Sequence, residues 1–204
     1  MSALPKPRKL TTAEYFAFEE ASPVKHEFHD GELFAMAGAN REHNVIGRNL
    51  AGHMFAAMQG GPCQLFLSDQ RLEIGLRGTY VYPDMLIVCE KPEYAAANRN
   101  TLTNPKVVIE ILSDSTERYD RTTKFRFYKA IPSVQEYVLV SQGEPLIESY
   151  VRRDDGTWTL KDFVGLDATL ELQTVAASVS MAAIYADVEF PQTAIQPMLD
   201  EPEA

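Results

Sequence analysis

Apolar residues recur at four-residue spacing from Ile46 through Leu50 and Met54 to Met58, and Ala57 widens the stripe. That period predicts an amphipathic helix over Arg41–Met58, stopped by Gly60-Gly61-Pro62. Downstream the period changes. Strands are predicted over Cys63–Leu67, Gln70–Leu76, Tyr80–Cys89 and Lys106–Leu112. The last two carry the unbroken apolar runs Met85-Leu86-Ile87-Val88 and Val107-Val108-Ile109, as expected of strands covered on both faces. Upstream, Thr11 or Thr12 caps a short helix through Glu14, Tyr15 and Phe18, which Pro23 ends. Lys25–Met36 has the pattern of a hairpin turning at Asp30-Gly31. A second helix is predicted over Asp120–Ala130, with Asp120 as cap and Pro132 beyond it. Strands follow at Gln135–Ser141, Pro145–Arg152 and Thr157–Val164, the last two joined at Asp154-Asp155-Gly156. A short helix near Met181–Ala186 takes Ser178 or Ser180 as its cap.

This order predicts an α+β domain, with helices packed on a mixed, mostly central sheet. Residues 1–10 are expected to be a loose N-terminus, 11–186 a single domain, and 187–204 an acidic, Pro-containing tail. Composition agrees: 204 residues, 45% hydrophobic and 24% charged, suit one domain with its own core and exclude collagen-like and disordered classes. No window approaches the ~18 apolar residues of a membrane span, and residues 1–10 lack the apolar core of a secretory signal. Cys63 and Cys89 show no metal-type spacing, so they are expected as two buried thiols in a reducing compartment, the cytoplasm. The net charge of −10 disfavours loose, charge-driven binding to nucleic acid. Any such activity has to come from a local site.

Candidate chemistry lies where charge interrupts apolar sequence. Asp84 follows Pro83 and opens an apolar run, and Glu110 shares a strand face with Val108 and Leu112. A buried carboxylate must be paired, protonated or bound to a cation. Two of them on adjacent strands could face one metal. Lys124 lies 14 residues after Glu110 on the following helix, with Tyr128 one turn further along the same face. Carboxylates holding Mg²⁺ or Mn²⁺, together with a lysine that stabilises developing charge, suit phosphodiester hydrolysis. Glu27 is a candidate outer ligand or water-orienting carboxylate.

Pro83-Asp84, Val-Val-Ile-Glu110-Ile-Leu-Ser113, Asp120-x-x-x-Lys124-x-x-x-Tyr128 and Glu136-Tyr137-Val-Leu-Val together resemble the Uma-type family of putative restriction endonucleases, a former domain of unknown function in the PD-(D/E)xK nuclease superfamily. Glu27 to Leu33 and His43 match that family's opening, and the resemblance covers roughly residues 10–190. It implies a restriction-endonuclease-like mixed sheet of four to five strands flanked by helices. It further implies a divalent metal held by Asp84, Glu110 and the main-chain carbonyl of Ile111, a DNA substrate, and self-association as a homodimer. The superfamily's lysine falls two residues after Glu110, where this chain has Leu112, and the family offers Lys124 as its migrated replacement.

Each residue also has a plainer role open to it. Asp84 could be held by backbone amides, Glu110 by a buried ion pair, Glu27 by an ion pair in its hairpin, and Lys124 by solvent. His43 stands between a local hydrogen bond and support of the metal ligands. Arg118, Arg121, Lys124, Arg126 and Lys129 form either a phosphate-tracking strip or a solvated face, whereas Phe125, Phe127 and Tyr128 are expected in the core. The main expectation is a metal-dependent endodeoxyribonuclease. The alternative is a catalytically silent module that keeps the nuclease fold.

Overall fold

The computed structural model describes residues 8–75 and 78–190. The expectations for residues 1–7, for the tail beyond 190 and for the end of the strand at Leu76 lie outside the described residues. In chain order the elements are α1 (Thr12–Ala21), β1 (His26–His29), β2 (Glu32–Ala35), α2 (Arg41–Ala57), β3 (Gln64–Leu67), β4 (Arg71–Glu73), β5 (Tyr80–Val81) and β6 (Met85–Val88). Next come β7 (Tyr94–Ala95), β8 (Asn98–Leu102), β9 (Val107–Ile111), α3 (Glu117–Tyr119), a π-helical turn (Asp120–Lys124) and α4 (Phe125–Lys129). The chain continues through β10 (Glu136–Val140), β11 (Leu146–Arg152), β12 (Trp158–Val164), β13 (Thr169–Leu172), β14 (Ala177–Ser180) and α5 (Met181–Ile184).

Local chemistry explains the element ends. Thr11 and Glu14 close a capping box on α1, and Asn40 accepts from the His43 amide at the start of α2. The β1–β2 turn puts Asp30 at φ 48° and Gly31 at φ 86°, the left-handed pair that an Asp-Gly hairpin requires.

The α+β class is as expected, but the strands form two six-stranded sheets where the sequence suggested one. The first runs β12-β11-β10-β9-β6-β3, with β9 and β10 parallel and the other pairs antiparallel. The second runs β2-β1-β5-β4-β8-β7. Every residue of β6, β9 and β10 is buried, because both faces of the first sheet are covered. One face packs Met85, Ile87, Ile109 and Val138 against Ile46, Leu50 and Met54 of α2 and against the β13–β14 hairpin with α5. The other packs Leu86, Val108, Tyr137 and Leu139 against Phe127 and Tyr128 of α4 and Leu72 and Val81 of the second sheet. Glu110 belongs to this second face by strand alternation.

Several expectations are corrected. The strand foreseen over Tyr80–Cys89 is two strands in different sheets, and the chain changes sheet at Tyr82-Pro83-Asp84. Pro83 cannot donate to a ladder, so pairing breaks there. Asp120 is no N-cap: the helical segment begins at Glu117, and Asp120 lies inside it at the head of the π turn. Ser178 lies in β14, and Ser180 precedes α5 without a capping side-chain bond. The hairpins β7–β8 and β13–β14 add to the expected elements; β13 and β14 alternate strictly between exposed and buried positions, but over only four residues each. Cys63 and Cys89 are joined as a disulfide, not left as thiols. The β3–β6 register pairs Gln64 with Val88, which brings the two cysteines opposite each other one step further out.

Leu50 is fully buried between α2 and the first sheet. Leu50→Ala should lower unfolding stability by about 2–5 kcal/mol in urea denaturation. A loss below about 0.5 kcal/mol, the range of exposed sites, would show that α2 does not pack there.

Candidate active site

The site forms where the two sheets meet under the helical segment 117–129. The β6–β9 register pairs Met85 with Ile109 and Leu86 with Val108, so one step further Asp84 stands opposite Glu110. The Asp84 amide faces Glu110 Oε2 at 3.4 Å, and the Ile111 amide donates to Asp84 Oδ2 at 2.7 Å. Asp84 Oδ1 lies 3.2 Å from His43 Nε2, near the start of α2. Pairing of Phe28 with Tyr80 holds β1 beside β5, next to the crossing at Pro83, and so brings Glu27 to the same place.

Lys124 enters from the π turn. Its Nζ lies 3.0 Å from Glu110 Oε1, 3.2 Å from Glu27 Oε1 and 3.2 Å from Asp120 Oδ1. The Tyr128 hydroxyl, one turn on, also donates to Glu110 Oε1. Glu27, Glu110, Asp120 and Lys124 are each less than a tenth exposed, whereas the Asp84 and His43 side chains keep nearly a fifth of their surface open. Approach from solvent is therefore on the Asp84–His43 side.

The sequence-derived candidates Glu27, Asp84, Glu110, Lys124, Tyr128 and His43 thus converge, with the Ile111 peptide beside them. Tyr128 braces Glu110 and makes no hydrogen bond to Lys124. Asp120 was passed over as a helix cap. Its signal was present, because an acid four residues before a lysine shares its helix face. Leu112 sits in the core, so the usual lysine position carries no charge here. The arginines divide: Arg121 pairs with Glu117 (2.7 Å) and with Glu148 on β11 (2.5 Å), while Arg118 and Arg126 are exposed. Phe127 and Tyr128 are core residues, and Phe125 packs on Tyr137, Tyr150 and Trp158.

Electrostatics sets the chemistry. Three carboxylates surround one ammonium, and a fourth, Asp84, lies beside Glu110. Burial pushes the Glu110 carboxyl up to about 8; Lys124 opposes that shift, and Asp120 and Asp84 add to it. Burial alone would lower the Lys124 pKa, but Glu110, Glu27 and Asp120 outweigh it and hold the amine well above its ordinary value. The cluster therefore keeps its ammonium and carries excess negative charge. Either a proton or a further cation offsets that excess.

Among the described residues, no group of three or more His, Cys, Asp or Glu side chains is arranged as a metal cage. Two carboxylates with a main-chain carbonyl still suit Mg²⁺, which keeps several waters and uses few protein ligands. The donors fit in kind: Glu110 Oε2 has only the long contact from the Asp84 amide, and Glu27 Oε1 and Asp120 Oδ1 accept no hydrogen bond and are met only by the Lys124 charge.

Between 4.5 and about 8 the folded chain holds a proton on Glu110 that the unfolded chain has released. The stability from this group is therefore present at low pH and lost as pH rises through about 8. Glu110→Gln should gain stability relative to wild type as pH rises from about 5 to about 8 in EDTA, measured by urea denaturation. A difference that stays constant with pH would contradict this electrostatic picture.

The family model described as "Putative restriction endonuclease", Uma2, matches residues 12–184. Two proteins of Synechocystis sp. are similar along most of their length. "Uncharacterized protein slr1290" is 35% identical over 89% of this chain and 94% of its own, and "Uncharacterized protein sll1609" is 36% identical over 79% and 92%. A crystal structure from Anabaena variabilis, described as a putative nuclease belonging to DUF820, shares the fold with a TM-score of 0.69 at 17% identity, over 86% of this chain and 97% of that one. With its family model matched from α1 through α5, the chain belongs to the Uma2 family of putative restriction endonucleases.

Proposed function

We propose that this protein is a metal-dependent endonuclease that hydrolyses DNA phosphodiester bonds with a PD-(D/E)xK-type site. The observation that carries the reading is the placement of Asp84 opposite Glu110 with the Lys124 ammonium on the far oxygen of Glu110. Asp84, Glu110 and the main-chain carbonyl of Ile111 would hold Mg²⁺ or Mn²⁺. A bound divalent ion supplies an acidified water and stabilises negative charge growing on the phosphate.

The protein's own residues do the rest. His43 fixes the Asp84 carboxylate from one side and the Ile111 amide fixes it from the other. Tyr128 fixes Glu110. Lys124 supplies positive charge beside the attacking oxygen, and Glu27 holds the lysine in place. Arg118, Arg126 and Lys129 are exposed cations of this helical segment, of which Arg118 and Arg126 could contact flanking phosphates, and Arg121 joins them only by leaving its two carboxylates. We further propose a cytoplasmic protein that works as a homodimer, two sites serving two strands. Among the described residues no helix is long and apolar enough to cross a membrane.

The second reading, a silent module with the nuclease fold, draws on the net charge of −10 and on the three carboxylates that engage Lys124. Cleavage assays separate the two. With Mg²⁺ or Mn²⁺, Asp84→Ala and Glu110→Ala should each lower the cleavage rate by ~10³ or more, and Lys124→Ala by ~10²–10³, while far-UV circular dichroism stays native. Wild-type rates in Asp84→Ala would overturn the assignment, and no cleavage by wild type across varied DNA substrates would favour the silent module.

A further inference from the structure

Three carboxylate oxygens from three elements surround the Lys124 ammonium: Glu27 Oε1 from β1, Glu110 Oε1 from β9 and Asp120 Oδ1 from the π turn, at 3.2, 3.0 and 3.2 Å. Only Glu110 Oε1 is aligned to accept a hydrogen bond from it. Glu27 Oε1 and Asp120 Oδ1 are buried and accept no hydrogen bond at all. Charge alone, with no directional bond, ties them to the lysine. That is how oxygens gather round a spherical cation. Glu110 meanwhile turns its other oxygen, Oε2, toward Asp84. One carboxylate thus lies between two cation places, one filled by Nζ and one beside Asp84.

Hydrolases that use two metal ions set them about 3.5–4 Å apart across the reacting phosphate. Resting on the metal-binding reading above, we propose that the Lys124 ammonium is the resident second cation of this site. The chain takes one divalent ion, on the Asp84 side of Glu110. The place on Glu27, Glu110 and Asp120 where a second ion would sit is filled by the chain itself. This gives Asp120 a role that the sequence did not suggest: with Glu27 it is a positioning residue for the ammonium. It also accounts for the two orphaned oxygens, whose partner is the charge at Nζ. Removing the ammonium leaves three buried carboxylates facing an empty place. They should then recruit a divalent ion by closing in about 1 Å, from their present spacing to the ~2.0–2.1 Å of Mg²⁺–oxygen contacts.

The test is the number of Mn²⁺ ions bound per full-length chain, by calorimetric titration and by electron paramagnetic resonance of the loaded protein. Wild type should take one ion and show an isolated-ion spectrum. Lys124→Met, refolded with Mn²⁺ present, should take two and show a spin-coupled pair, because Glu110 lies between them. Asp120→Asn/Lys124→Met carries one buried charge fewer and can be titrated from the metal-free state. It should also take two, with the second at least ~10-fold weaker than in the single variant, a difference of about 1.4 kcal/mol. Two ions in wild type, or one ion in both variants, would overturn the proposal. A wild type that binds none would overturn the metal-binding reading itself, so the two failures are distinguishable.

Discussion

Burying several carboxylates around one ammonium is the constraint on which this structure turns. Glu27, Glu110 and Asp120 lie in the interior with Lys124, and Asp84 closes the cluster on its open side. Withdrawing such charges from water costs several kcal/mol each unless other charges compensate. The fold meets that cost with contacts drawn from far apart in the chain. It brings β1 against β5, crosses from one sheet to the other at Pro83, and lays the segment 117–129 across the junction. A site with a surplus of negative charge needs a proton or a cation to offset it.

The π turn has a place in the same account. Such turns are costly in ordinary helices and concentrate at functional positions. Here the turn runs from Asp120 to Lys124, and both of its end residues point into the cluster. The Tyr137 hydroxyl donates to the Asp120 carbonyl, which ties the turn to β10. Glu136, next to Tyr137, is another fully buried carboxylate, but it is satisfied differently. Ser149 and Thr174 donate to its two oxygens, and it pins β10 to β11 and to the β13–β14 turn. Comparing Glu136 with Glu110 shows why burial of a carboxylate alone does not identify a site. Hydroxyl donors make the first a structural lock, whereas an ammonium and neighbouring acids make the second a centre of unbalanced charge.

Much of this was legible in the residues. The four-residue period of Ile46, Leu50 and Met54 located α2, and the apolar runs located β6 and β9, because helix and strand periods differ. Asp84 and Glu110 stood out because charge interrupted those runs. Other features depended on pairing that no local pattern reveals. The β6–β9 register put Asp84 opposite Glu110, and the β3–β6 register brought Cys63 to Cys89. The short hairpins β7–β8 and β13–β14 are built of strands only two to five residues long, and although β13 and β14 alternate inside and out, four residues each is too short a run to stand out. Asp120 was misread as a cap because an acid near a helix start has an ordinary explanation, and only the packed fold shows it turned inward. Arg121 was grouped with phosphate-facing cations because its second partner, Glu148, is remote in sequence.

Membership of the Uma2 family and the shared fold agree with a nuclease site, yet the chain's net charge of −10 offers DNA little general attraction. Under the proposed function, recognition would then depend on a cation held by the carboxylates. The most direct measurement is a thermal melt of wild type and Asp84→Ala in EDTA, Mg²⁺ and Mn²⁺. A ligand that binds only the native state must raise its stability. The account predicts a metal-dependent rise in melting temperature for wild type that Asp84→Ala loses. Equal melting temperatures in EDTA and in metal for wild type would contradict it.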